Sequence, residues 1–323
     1  MNMPYKGVLL YTIESFLKRI DFFNRFIDDS AAILMKVADL RMWIDLQIHT
    51  VATPHHAAWE PEALVLAAKA ANLAVIAVTD HNTTACVQAT LEAGARHGIR
   101  VISGVEIDSG FPSGGRAGAP LKMWHTLIYG APPEHPELLA LCDSVFERNR
   151  SDAVELREEL ARRGMPVQGL DDLGRSANVA DVATALARQY ELPGRLAGED
   201  DEAAGMRYVL EQVPGGYKPV GVDEVIALAH RIGGLAVLAH PGRSKGIYAI
   251  PADEEDIRAL KACGLDGIEV FYPSHSEEQK TFLLDMAQRY DLLVTGGSDS
   301  HGPHQAFAHW PAAACQHFLD TVS

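Results

Sequence analysis

From Trp43 onward the chain alternates short apolar runs with longer segments whose apolar residues recur every three or four positions. Runs of roughly four to eight apolar residues mark strands covered on both faces, whereas the three-to-four spacing marks helices packed along one side. The pattern predicts strands over Trp43 to Thr50, Leu73 to Thr79, Ile99 to Glu106, Lys122 to Tyr129, Gly234 to His240, Leu265 to Phe271 and Leu292 to Gly297. Helices are predicted over Pro61 to Ala71, with Pro at an allowed early position, and over Thr83 to His97, Val222 to Ile232, Glu254 to Cys263 and Ser276 to Tyr290. A Gly- and Pro-rich loop, Gly110 to Pro120, lacks the spacing of a phosphate-binding loop and reads as a flexible rim.

Between about Pro136 and Pro219 the rhythm changes to helices alone, over Glu147 to Gly164, Val179 to Tyr190 and Glu202 to Val213. Strict alternation of strand and helix elsewhere implies a parallel sheet. The expected organisation is an α/β chain: a seven-stranded β/α (TIM-like) barrel from residues 43–135 and 220–310, and a helical cap inserted over 136–219. Residues 1–42 form an N-terminal extension and 311–323 a C-terminal tail. The extension reads either as an amphipathic helix outside the main fold or as translation from a start upstream of Met42. Charges at Glu14, Lys18, Arg19, Asp21 and Arg25 argue against a secretory signal.

The predicted strands close on residues that can hold a metal: His49, His81, Glu106, His125, His240, Glu269 and the Asp299/His301 pair. In a barrel of parallel strands all carboxyl ends lie on one face, so these points would converge on one pocket. An open doubly wound sheet would gather its ligands at a switch point instead.

Composition narrows the choice only a little. At 323 residues, with 47% hydrophobic and 22% charged residues, the chain has ample material for a globular core. A net charge of −15 argues against a broad surface for duplex nucleic acid, but bound divalent ions would reconcile it with an anionic substrate. Cys86, Cys142, Cys263 and Cys315 form no CxxC pair, which fits a reducing, cytoplasmic compartment. No membrane span is expected, because no apolar stretch reaches the roughly eighteen residues one requires.

Singly, each candidate has a plain alternative. His49 and His55 read alone as satisfied polar residues, Asp80-His81 as a helix-start cap, and Glu106 as a surface carboxylate. Asp299 and His301, two apart, are a natural chelating pair. The set taken together resembles the polymerase and histidinol phosphatase (PHP) family of metal-dependent phosphoesterases, through DLQIHT, TDH, GVE, WHTLIYG, AHPGR, GIEVF and GSDSHG in that order. The resemblance covers residues 43 to about 305, with an insertion placed as in the family's nucleotide and oligonucleotide phosphoesterase branch.

That resemblance implies a distorted seven-stranded barrel holding two or three divalent ions, zinc, manganese or iron. Carried onto this sequence, it implies one ion at Gln47, His49, Glu106 and Asp299, a second at Glu106, His125 and His240, and a third at His55, His81 and His301. Asp299, Glu106 and His81 are then the expected catalytic residues, and hydrolysis is expected through a metal-activated hydroxide. Arg243 is the candidate phosphate clamp, since Arg offers bidentate hydrogen bonds to phosphate. His275 and Lys218 are further substrate-binding candidates, and His56 and His304 neighbour the proposed ligands.

Two departures bear on function. Gln47 stands where the family motif has His, and Val179-Ala180-Asp181 stands where the branch often has Arg-Pro-His. An amide oxygen is a weaker, neutral ligand for zinc-like ions. The expected substrate is a small phosphate ester, nucleotide or short oligonucleotide end; nothing in the sequence fixes the oligomeric state. The rivals are a histidinol-phosphate phosphatase and a metal-binding module weakened catalytically by Gln47. Carbon–nitrogen hydrolysis is disfavoured, because no Lys ends a predicted strand to bridge metals.

Overall fold

A computed structural model describes residues 42–53, 57–119, 121–243 and 250–322. The expected N-terminal extension, apart from Met42, lies outside the described residues, as do His55 and His56. In chain order the first half comprises β1 (Trp43–Ile48), α1 (Pro61–Ala70), β2 (Leu73–Val78), α2 (Val87–His97), β3 (Arg100–Pro112), β4 (Leu121–Tyr129) and α3 (Pro136–Arg162). Then follow α4 (Val179–Gln189), α5 (Asp201–Gln212), β5 (Val220–Gly221), α6 (Val222–Arg231), β6 (Leu235–Leu238), α7 (Glu254–Ala262), β7 (Gly267–Phe271), α8 (Glu277–Arg289), β8 (Leu293–Gly296), β9 (Trp310–Pro311) and α9 (Gln316–Thr321).

The strands form one sheet in the order β8-β7-β6-β4-β3-β2-β1-β9, with β5 beside β3. Just past β8 the sheet meets β1 again: the His49 N–H donates to the Ser300 carbonyl at 2.9 Å and the Asp299 N–H to the Gln47 carbonyl at 3.0 Å. These bonds nearly close the sheet into a barrel. Gly297 makes the seam possible, because a Cβ there would overlap the backbone of Gln47.

The all-parallel expectation is corrected at β4, which is antiparallel to both β3 and β6. β3 does not stop at Glu106; it continues to Pro112 and returns through a short turn as β4, pairing Gly104–Pro112 with Leu121–Tyr129. Ile107 and Phe111 remain buried along this extension, and a hairpin needs no crossover helix. The rim loop is accordingly shorter than expected. Glu106 and His125 therefore sit inside strands rather than at their ends.

The inserted helices share a core of their own. α3 begins at Pro136, eleven residues before the expected Glu147, and spans two clusters. Its Leu138, Leu141 and Val145 pack with the barrel, while Ala153, Leu156 and Leu160 pack with Val182, Leu186, Met206 and Val209 of α4 and α5. α4 and α5 touch closely, since a Cβ on Gly205 would overlap the Ala183 carbonyl.

Residues 311–322 are no loose tail. β9 pairs with β1, and the Phe318 ring meets Tyr129 edge-on at 5.0 Å inside the cluster formed by Ile44, Leu46, Leu127 and Val237.

Candidate metal centre

The walls of the site are held by buried carboxylates that the sequence reading left out. Asp80 accepts from the Thr50 N–H and hydroxyl, each at 2.6 Å, and from the Thr53 hydroxyl at 2.7 Å. It thereby ties the loop after β1 to the end of β2. Thr53 lies 3.3 Å from His49 Nδ1, so this staple also orients the His49 ring. Asp45 accepts the N–H groups of Ser298 at 2.8 Å and Ala308 at 2.9 Å, fixing the turn that carries Asp299. Burial raises the Asp45 pKa to about 6 against the pull of these hydrogen bonds.

Glu106 is the hub. One carboxylate oxygen lies 2.6 Å from His125 Nδ1 and 3.1 Å from His240 Nε2. The other lies 3.2 Å from His49 Nε2, accepts from the Gln47 side-chain amide at 2.9 Å, and stands 3.9 Å from His81 Nδ1. Asp299 Oδ1 is 2.9 Å from His49 Nε2, and Asp299 Oδ2 accepts from the Tyr272 hydroxyl at 3.0 Å. His49 stacks between His81 and His301, with ring centroids at 4.6 Å and 4.1 Å. His240 and Asp299 adopt positive φ angles of 32° and 57°, a conformation that non-glycine residues hold only when their surroundings impose it.

Electrostatics divide the imidazoles into two kinds. Burial alone would lower the pKa of His49, but hydrogen bonds and charge from Asp299 and Glu106 outweigh it and raise the value to about 10. His125 is likewise raised, Glu106 overcoming burial. His240 is lowered by burial, and His301 falls to about 4 through burial and the charge of His49. Burial opposes ionisation of Glu106 and Asp299, yet the surrounding imidazoles hold both below the usual carboxylate range. In the metal-free protein a proton on His49 thus balances buried carboxylates where cations would otherwise do so.

The fold brings together Gln47, His49, His81, Glu106, His125, His240, Asp299 and His301 from the expected set. Two of the substrate-binding candidates already have partners within the protein. His275 is buried and committed to backbone: Nδ1 lies 2.9 Å from the Val270 carbonyl, and Nε2 accepts from the Gly242 N–H at 3.1 Å. It clasps the His240-Pro241-Gly242 turn. The exposed Lys218 ammonium is engaged by Glu155 at 2.6 Å and Asp152 at 3.3 Å on α3, an ion pair that draws it onto the cap. Arg243 follows the clasped turn, its N–H donating to the His240 carbonyl at 2.9 Å, and its charge opposes the rise in the Tyr272 pKa that burial causes. His304 is exposed. Glu269 turns to the backbone, accepting the His240 N–H at 2.9 Å.

Asp108, Asn82 and Tyr272 belong to the site and were missed. Only the two-residue step from Glu106 to Asp108 carried a signal, because side chains two apart on a strand share a face.

Comparison with known proteins places this geometry. A family model described as PHP domain matches residues 45–189. A phosphoribosyl 1,2-cyclic phosphate 1,2-diphosphodiesterase of Eggerthella lenta is 34% identical over 245 residues, covering 72% of this chain and 86% of that protein. The chain belongs to the PHP-domain family. Further PHP-domain similarity is to a 5'-3' exoribonuclease of Haemophilus influenzae, 28% identical over 80% of this chain and 90% of that protein. A 3',5'-nucleoside bisphosphate phosphatase of Chromobacterium violaceum is 29% identical, over 80% and 87%. Among solved structures, one described as a metal-dependent phosphoesterase from Bifidobacterium adolescentis has a TM-score of 0.61 at 25% identity, covering 88% of this chain and 97% of that one. An amidohydrolase from Chromobacterium violaceum, solved with sulfate and no metal, has a TM-score of 0.60 at 26% identity over 87% and 97%.

The PHP chain is a metal-dependent phosphoesterase, and its donor set fits metal ions. Ligand atoms of His49, His81 and His301, of His81, Glu106 and His125, and of His49, Glu106 and Asp299 each lie within 4.8 Å of one another. Gln47 Oε1 and His81 Nδ1 are buried without a hydrogen-bond partner. Buried polar atoms left without a partner are costly unless a bound group satisfies them.

Proposed function

We propose that this enzyme hydrolyses phosphate esters of nucleotides or the ends of short oligonucleotides, using two or three divalent ions of zinc, manganese or iron. The observation that carries the reading is the overlap of three donor groups, two of which share buried Glu106 and the third of which shares His49 and His81 with them. Relatives named for phosphoribosyl, nucleoside and RNA substrates support the substrate class. Sulfate bound in a structural neighbour accords with an oxyanion substrate.

His49, Glu106, Asp299 and Gln47 would hold one ion, and Glu106, His125 and His240 a second; His81 and His301, with His55, would hold a third. When bound, such ions act as Lewis acids toward phosphoryl oxygens and lower the pKa of water toward neutrality. The protein's part is positioning. Glu106 keeps imidazoles of four elements in register, Asp299 is fixed between His49 and Tyr272, and His81 joins the two sides of the centre. Arg243, held close to Tyr272 by the clasped turn, would receive the phosphate through its guanidinium. His240 and His301, poor bases in this setting, serve as lone-pair donors. The four cysteines are unpaired, which accords with a cytoplasmic protein, and no helix among the described residues is long and apolar enough to cross a membrane.

The test is turnover, with manganese or zinc added, on a 3',5'-nucleoside bisphosphate, a ribose cyclic phosphate and a 5'-phosphorylated RNA oligomer, set against histidinol phosphate. The expected kcat/KM is greater on at least one nucleotide-type substrate than on histidinol phosphate. The reverse preference would move the enzyme to amino-acid phosphate chemistry.

A further inference from the structure

Asp108 lies two residues beyond Glu106 on β3, and its carboxylate has two differently employed oxygens. Oδ2 accepts from the Asn82 amide at 2.9 Å, while the Asp108 N–H donates to Asn82 Oδ1 at 3.0 Å. This reciprocal pair fixes the carboxylate, and Asn82 itself is held at a positive φ of 53° to make it. The other oxygen, Oδ1, lies 3.4 Å from His125 Nε2 and 3.6 Å from His81 Nδ1. Both distances exceed the roughly 2.7–2.9 Å of a charge-assisted hydrogen bond. They match the separation of neighbouring ligand atoms around a single tetrahedral ion, about 3.3 Å for bonds of about 2.0–2.1 Å. His81 Nδ1 is buried and makes no hydrogen bond.

We propose that Asp108 is itself a metal ligand, its Oδ1 adding to the donors that His81 and His125 supply to the centre. The proposal rests on the metal-centre reading above and extends it to a residue outside that ligand set. Asn82 is then the positioning residue, holding one oxygen so that the other meets the imidazoles. The added carboxylate strengthens this site for a divalent cation, whereas the neutral Gln47 weakens its neighbour.

Chelator-stripped protein titrated with cobalt, followed by visible absorbance, by competition with a chelating indicator and by elemental analysis, provides the test. The wild type is expected to show a tight and a weaker class of ions. Asp108→Asn is expected to lose the tight class, with affinity lower by about a hundredfold and altered ligand-field bands, while far-ultraviolet circular dichroism is unchanged. Asn82→Ala keeps the carboxylate and is expected to weaken the same class by about tenfold. Wild-type affinity and spectrum in Asp108→Asn would overturn the role of Asp108 and leave the metal centre standing. Should that variant not fold, an unchanged tight class in Asn82→Ala would overturn it equally. A wild type that takes up no cobalt would overturn both the Asp108 site and the metal-centre reading.

Discussion

Gln47 turns its amide nitrogen toward Glu106 and leaves its carbonyl oxygen buried without a partner. That posture suits a metal-free centre, since the amide proton satisfies a carboxylate oxygen. An imidazole at this position would offer a stronger lone pair. Gln47→His is therefore expected to tighten the ion shared with His49, Glu106 and Asp299 by about tenfold or more, and to raise kcat at limiting metal. Metal titration of the stripped variant beside the wild type measures the first effect and phosphate release the second; equal affinities would remove Gln47 from the ligand set. The same contrast of neighbours decides the fate of single histidines. His275 is as buried as the ligands, yet both its nitrogens are occupied by backbone groups, so it shapes the turn and cannot coordinate.

At the scale of elements, the ends of β1, β2, β6 and β8 deliver His49, His81, His240 and the Asp299/His301 pair, and those were legible because each follows a solid apolar run. The β3–β4 hairpin was not. Periodicity finds a strand but not its direction, and an antiparallel return looks the same in sequence as a parallel one. Asp108 disappeared with it, being placed beyond the expected end of β3. Asp45 was read past because its partners are the backbone N–H groups of Ser298 and Ala308, which leave no mark in the sequence, and Asp80 was read as a helix-start cap because its Thr50 and Thr53 partners lie about thirty residues away. The cap was legible as helices, but the start of α3 was not, since its first turns pack on the barrel and its later ones on α4 and α5. Cap integrity depends on the α4–α5 contact at Gly205. Gly205→Ala is expected to destabilise the protein by about 1–3 kcal/mol through overpacking, despite the better helix propensity of Ala. Urea unfolding would measure it, and an unchanged midpoint would show that the two helices separate freely.

For the whole molecule, the barrel gathers charges from strands distant in sequence, and burial makes each charge depend on the others. Asp299 and Glu106 keep the His49 proton in the metal-free protein up to a pKa of about 10. An ion entering beside His49 must displace that proton, so metal affinity falls as pH falls. The most direct test prepares the protein free of metal by chelation, then follows metal content and phosphate release together as manganese or zinc is returned at pH 6 and pH 8. The expected result is no turnover without metal, recovery as two or more ions per chain bind, and weaker uptake at pH 6. Full turnover by the metal-free protein, or no metal bound at either pH, would contradict a metal-dependent phosphoesterase centred on Glu106.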